Sequence, residues 1–258
     1  MIIIIPKQSS TSPPKNNFHQ SAIISPSKSI LNIGKGDLRK IWKSKQRNLK
    51  MDKLKVLNLY AGIGGNRKLW TDVDVTAVEM NPEIAAIYSD LYPQDKMIIG
   101  DAHAYLLEHF KDFDFIWASP PCPTHSRFNN LNQKNIKYPD MALYQEIIVL
   151  QHFFEGKYCI ENVITYYDPL IKPFESNSHY FWANFKFRQF PNEKRGIRRQ
   201  EHDFRYNRVG IDLSKYNLEI RFEKQIINNC VEPEIALHIL NCARGVMEAE
   251  NINQPQLF

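Results

Sequence analysis

Five short apolar runs, separated by turns and helix-like stretches, constrain this chain most: residues 55–60, 73–79, 96–100, 113–118 and 158–163. The first run leads through a glycine turn, 61–66, into the start of a helix. Helix signals fall at 82–91, with Asn81 as N-cap and Pro82 in the first position, at 102–110 and at 138–154. Strand and helix in alternation predict an α/β fold: a doubly wound, mostly parallel sheet with helices on both faces. Such sheets bind ligands at the carboxyl ends of their strands, so the residues just past each run are the ones to read for chemistry.

The remaining sequence sets the boundaries. At 258 residues and 43% apolar content the chain can build one large core, or one core and a small second unit. No run reaches the ~18 apolar residues of a membrane helix. The opening Met1-Ile2-Ile3-Ile4-Ile5 is too short for a signal-peptide core and has no basic residues before it, so we expect a cytoplasmic protein without membrane contact. Cys122, Cys159, Cys230 and Cys242 are widely spaced with no C-x-x-C pair, which argues against a zinc site and against a disulfide framework. No metal is expected.

Charge is distributed unevenly. Residues 1–50 carry ten Lys/Arg and one acid, so the rest of the chain has a net charge of −4 although the whole is +5. Within that rest, residues 186–208 hold eight Lys/Arg against three acids, a local basic stretch suited to facing nucleic acid. Residues 9–28, rich in Ser, Pro, Asn and Lys, have no hydrophobic period. We therefore expect a disordered basic leader (1–50), a catalytic and cofactor-binding core (51–175), a small target-recognition region (176–225) and a C-terminal segment (226–258) whose helix, 232–244, packs back on the core. Met51, directly before the first strand, is a candidate alternative start of translation.

Three strand ends carry ligand-type groups. Gly62-Ile63-Gly64-Gly65 follows the first strand, where glycines permit positive φ and close approach of a ligand to the backbone. Glu79 ends the second strand, where a carboxylate can accept both ribose hydroxyls. Asp101, after the third, could accept from an adenine amino group. By themselves these fit NAD, FAD or S-adenosylmethionine. The fourth strand ends in Ser119-Pro120-Pro121-Cys122-Pro123, a cysteine held in a rigid loop by flanking prolines, and the fifth in Glu161-Asn162-Val163.

In this order the motifs resemble the DNA (cytosine-5)-methyltransferase family, particularly its short phage and prophage members known from restriction-modification and related settings. The matching stretches are Leu57 to Gly65, Val78-Glu79-Met80-Asn81, Gly100-Asp101, Ser119-Pro120-Pro121-Cys122, Glu161-Asn162-Val163 and a late Asn229-Cys230-Val231. The resemblance implies a Rossmann-like fold and S-adenosylmethionine as cofactor, held by Tyr60, Gly62, Gly64, Gly65, Glu79, Met80, Asp101, Pro120 and Asn229. It implies methyl transfer to C5 of a cytosine flipped out of double-stranded DNA by an enzyme we expect to be monomeric. The chain departs from the family twice. Pro123 stands where a glutamine is usual. The arginine motif expected near 177–182 has no arginine, leaving Arg195, Arg198, Arg199 or His179 to supply the charge.

The chemistry assigns roles. Cytosine C5 is a poor nucleophile until a thiolate adds at C6, so Cys122 is the expected nucleophile. Addition loads negative charge on the ring, and Glu161 can hold a proton for N3, while Asn162 fixes the loop or the base edge. Ser126 and Arg127, close after the nucleophile, and Arg195, Arg198 and Arg199 are the candidate DNA contacts. Exocyclic-amine methyltransferases also carry Ser-Pro-Pro, but follow it with an aromatic ring where this chain has Cys122. An RNA cytosine methyltransferase and a catalytically silent, cofactor-binding nucleic-acid binder are the alternatives.

Overall fold

A computed structural model describes residues 53–127, 129, 137–191, 207 and 209–246. The expected leader and Arg195, Arg198 and Arg199 lie outside these residues.

Seven strands form one sheet in the order β3-β2-β1-β4-β5-β7-β6. They are β1 (Leu54–Leu59), β2 (Val73–Glu79), β3 (Lys96–Ile99), β4 (Phe115–Ala118), β5 (Lys157–Val163), β6 (Phe174–Ser176) and β7 (His179–Ala183). Every pairing among β1 to β5 is parallel, and β7 runs antiparallel to both of its neighbours. Strand order reverses between β1 and β4, whose ends register Leu59 against Ala118. A crevice opens beyond the carboxyl ends of strands at such a reversal. The glycine turn and the Pro-Pro-Cys loop leave the sheet on its two sides.

The described helices are α1 (Pro82–Leu91), α2 (Ala102–His109), α3 (Ala142–Phe153), α4 (Ile220–Asn228) and α5 (Pro233–Ala243). Alternation along the strands feeds two apolar layers. Val56, Val75, Phe115, Trp117 and Phe181 pack against Ile235, Ala236, Ile239 and Leu240 of α5. Leu57, Leu59, Ile116, Ile160 and Trp182 pack on the other face against Leu106 of α2 and Leu143, Ile147 and Leu150 of α3. Both faces are covered, which explains why the central strands read as nearly continuous apolar runs.

Four features differ from the sequence expectations. The glycine turn does not open a helix: residues 62–69 form successive turns, because Asn66 and Arg67 use their side chains on distant partners rather than lining a helical face. The helix expected from 138 starts at Ala142, since Pro139 disfavours helical geometry before it and the Asp140 carboxylate accepts from Ala142 N at 3.0 Å. Helix α4 was not expected at all. It buries Ile226 and Ile227 in a third cluster with Ile63, Ile87, Val209, Ile211 and Leu213. Finally, β7 and the end of β6 join the core sheet although they fall within 176–225, the stretch expected to be the recognition region.

Candidate active site

Local chemistry shapes the glycine turn. Tyr60 directly follows β1 with φ +54°, a left-handed conformation that is costly for a tyrosine. Its hydroxyl donates to Glu146 Oε1, on a fully buried carboxylate of α3 that also contacts His103 Nδ1 at 3.0 Å. Burial and the Glu146 charge push the Tyr60 phenol far up, and the hydrogen bond to Glu146 raises His103. Gly62 (φ +54°) has nothing within 4 Å of where a Cβ would sit, whereas at Gly64 (φ +79°) a Cβ would meet Tyr92 at 2.4 Å and Tyr88 at 2.8 Å. Gly62 thus faces open space and Gly64 packs inward. Gly65 packs against Cys230, so the late Asn229-Cys230-Val231 stretch lies beside the turn, with Asn229 exposed at the end of α4.

Glu79 accepts from Gly62 N at 3.0 Å and Asn81 N at 2.9 Å, one bond to each oxygen. A carboxylate has about four acceptor sites, so two remain for a diol. Asp101 caps α2 through one oxygen, accepting from His103 N and Ala104 N. Met80 and Ile99 stand exposed at the ends of β2 and β3, an apolar surface suited to a purine ring. The open side of Gly62, the half-used Glu79 carboxylate and the exposed apolar strand ends fit S-adenosylmethionine. Gly64→Ala should lower stability by about 1–3 kcal/mol, from overpacking and left-handed strain, and weaken cofactor binding. Urea unfolding and calorimetric titration with the cofactor check both effects.

The Pro-Pro-Cys loop is fastened from several sides. Asn162 Nδ2 donates to Pro120 O at 3.0 Å, while its Oδ1 accepts from Val163 N at 2.9 Å. Trp117 Nε1 donates to Ser119 Oγ at 2.9 Å. The Cys122 carbonyl accepts from both His125 N and Ser126 N at 3.0 Å. Farther on, Ser126 bridges to Thr165, Tyr166 N donates to His125 O at 3.2 Å, and buried His125 meets Tyr167 Oη through Nδ1 at 2.6 Å. Burial holds the His125 pKa below the usual imidazole range. Tyr166 and Tyr167 therefore belong to the scaffold of the loop. Arg127 is exposed just beyond it.

Cys122 is partly buried. Burial pushes its thiol up, the Glu161 charge adds to this, and a backbone hydrogen bond partly opposes both. Glu161, on β5, is 8% exposed. Across the sheet, where β5 and β7 pair Val163 with His179, the His179 Nε2 lies 3.8 Å from Glu161 Oε1. The structure thus puts an imidazole, and none of the described arginines within ion-pairing distance, beside Glu161. Sequence reading missed Glu146, His103 and His125. An acid on the apolar face of α3 and a histidine three residues past the cysteine were the available signals.

Residues 54–167 match the family described as C-5 cytosine-specific DNA methylase. No curated protein matches the chain. Among solved structures, the chain resembles a hypothetical protein of Thermus thermophilus (16% identity, 62% of this chain, 92% of that one, TM-score 0.38). It also resembles a DNMT2 variant of Spodoptera frugiperda (24% identity, 43% and 35% covered, TM-score 0.32). A third similar structure is a putative DNA modification methyltransferase encoded within an E. coli prophage (20% identity, 43% and 32% covered, TM-score 0.31). The chain spans about a third of the length of each of the latter two. Strand order and register, not these overlays, carry the fold assignment. With the glycine turn, the Pro-Pro-Cys loop and Glu-Asn-Val at three strand ends around one crevice, the match over 54–167 makes this part of the chain similar to the C-5 cytosine-specific DNA methylase family.

Proposed function

We propose that the protein methylates C5 of cytosine in double-stranded DNA through a covalent adduct between Cys122 and C6 of a flipped base. The observation that carries this reading is Cys122 in a loop pinned by Asn162, with its thiol electrostatically coupled to the buried Glu161. Bound S-adenosylmethionine supplies an electrophilic methyl group. Tyr60, Gly62, Gly64, Gly65, Glu79, Met80, Asp101, Pro120 and Asn229 are the residues proposed to hold it. When the thiolate of Cys122 adds at C6, the ring electron pair moves onto N3, and the Glu161 carboxyl gives N3 its proton. A protonated Glu161 carries no charge to raise the thiol, so proton on Glu161 and thiolate on Cys122 favour each other.

Asn162 acts on the loop rather than on the base. Ser126, Arg127 and the basic stretch through Arg195, Arg198 and Arg199 are proposed to contact DNA, with arginines at phosphates and guanine edges.

The test is methyl incorporation from labelled S-adenosylmethionine into duplex DNA, single-stranded DNA and RNA, followed by nucleoside analysis. We expect 5-methylcytosine in duplex DNA. Label in RNA alone would transfer the reading to RNA cytosine, and label on an exocyclic nitrogen would overturn it.

A further inference from the structure

The side chain nearest to Glu161 in charge terms is His179, and its surroundings fix how it points. Residues Asn177 and Ser178 both adopt left-handed φ, +49° and +58°, in the tight turn that joins β6 to β7. Two consecutive left-handed residues other than glycine are strained, and such strain persists where neighbouring contacts over-determine it. One of those contacts is His179 itself: its Nδ1 lies 2.8 Å from Asn177 O. A carbonyl can only accept, so Nδ1 carries a hydrogen, and in the neutral ring Nε2 is the free base. That Nε2 is the atom directed at Glu161 Oε1.

The two side chains differ in access to water. The His179 side chain is 30% exposed and that of Glu161 is 11%. They share a cavity of about 40 Å³ with Cys230 and Glu232 at the junction of α4 and α5. That volume holds a water molecule, and a 3.8 Å separation with polar walls is suited to a bridging one. Glu161 and His179 thus line one water-sized cavity, with His179 the more exposed of the two. The titratable groups facing the imidazole are Glu161 from β5, and Glu232 and Cys230 from the α4–α5 junction. Its lateral neighbours in the sheet, Val163 and Ser176, carry no charge.

We propose that His179 supplies and recovers the proton that Glu161 exchanges with the base, in place of a permanently charged residue. The inference rests on the cytosine reading above. As the Cys122 sulfur pair forms the S–C6 bond and the C4–N3 π pair settles on N3, Glu161 gives its proton to N3. The Glu161 carboxylate then takes the Nε2 proton of the His179 imidazolium, which becomes neutral. After the methyl group has passed to C5, water takes the C5 proton, the C5–H pair closes the C5=C6 bond as the C6–S pair returns to sulfur, and the N3 proton goes back to Glu161 and on to His179. His179 acts through Glu161 and does not touch the base. The arrangement makes adduct formation pH-dependent in a way that an arginine would not, because a guanidinium stays charged across the working range.

The experiment follows covalent adduct formation between the full chain and duplex DNA containing 5-fluorocytosine, from pH 5 to 9, for wild type, His179→Gln and His179→Lys. In the wild type the rate falls as pH rises and the imidazolium loses its proton. In His179→Gln, which has no imidazole to lose a proton, that fall disappears from the measured window, and the rate is lower by about tenfold or more. His179→Lys keeps a titratable cation, retains more of the rate than His179→Gln, and moves the fall to higher pH. Circular dichroism and thermal unfolding confirm that each variant is folded. A fall that stays in place in both folded variants overturns the role of His179 and leaves the cytosine reading standing. No adduct with wild type overturns the cytosine reading, and the proposal falls with it.

Discussion

Replacing Cys122 with alanine is expected to abolish the covalent adduct with 5-fluorocytosine DNA and to lower methyl transfer by at least about 10⁴-fold, the order reached when a covalent nucleophile is removed. Folding should be almost unaffected. Cys122 sits partly buried in a loop whose anchors are the Asn162 side chain and backbone groups of residues 122–126, none of which needs the sulfur. The stability change should stay within about 1 kcal/mol. Base-resolution 5-methylcytosine sequencing of DNA from cells expressing each form reads the first effect, and thermal unfolding the second. Methylation that survives in the alanine variant would remove Cys122 from the chemistry. The resting thiol offers a companion measurement. Burial and the Glu161 charge both hold it in the protonated form, so alkylation by iodoacetamide at pH 8 should be slower than for an unhindered cysteine. Glu161→Gln removes the charge but not the burial, so it should recover part of that rate. If alkylation is as fast as in a free thiol, the nucleophile is already activated in the resting protein and coupling to Glu161 is not its control.

What could be read from the sequence follows from which interactions are local. β2 and α1 match the sequence reading residue for residue, because each carries its own boundary signals: alternating apolar residues in Val73–Glu79, and Asn81 with Pro82 at the start of the helix, where the Asn81 side chain does accept from Glu83 N and Ile84 N. The strand-end residues were legible for a related reason. In a parallel sheet, the sequence position just past a strand is also a spatial position at the ligand-binding edge. The stretch after the glycine turn was not legible, since its shape is set by pairings across long separations. Asn66 exchanges hydrogen bonds with Asn58, and Lys68 Nζ donates to the carbonyls of Val209 and Gly210. Helix α4 escaped notice because its apolar face is short and its sequence is otherwise polar. Only the cluster around Ile63 and Ile87, brought there by the fold, gives Ile226 and Ile227 something to pack on. For His179 the sequence left the question open between three arginines and one histidine. The β5–β7 register answers what lies next to Glu161 among the described residues.

Arg67 is the residue for which sequence gave no warning, and breaking its pairing should produce the largest loss of stability. Its side chain is 5% exposed and that of Asp95 1%. The guanidinium makes a two-pronged contact with the carboxylate, Nε to Oδ2 at 2.7 Å and Nη2 to Oδ1 at 2.9 Å, and Nη1 donates to Trp70 O at 2.6 Å. Tyr88 adds a hydrogen bond to Asp95 Oδ2 at 2.8 Å, and the guanidinium lies 5.4 Å from the Tyr92 ring centre. Both tyrosines are the ones that Gly64 packs against, so the ion pair braces the turn proposed to hold the cofactor. A buried pair of this kind offsets its desolvation only while it is complete. Asp95→Ala leaves a guanidinium buried without its counter-charge and should cost about 3–5 kcal/mol, lowering the melting temperature by about 6–20 °C. Replacing both partners by apolar residues of similar size, Arg67→Met with Asp95→Leu, removes the buried charge together with the attraction and should recover most of that loss. Denaturant unfolding of the two single variants and the double variant separates these contributions. Should Asp95→Ala unfold like the wild type, water reaches Arg67 and the pair is not a brace. A stable double variant that still binds S-adenosylmethionine would show that the turn needs a filled volume beneath it rather than the charges themselves.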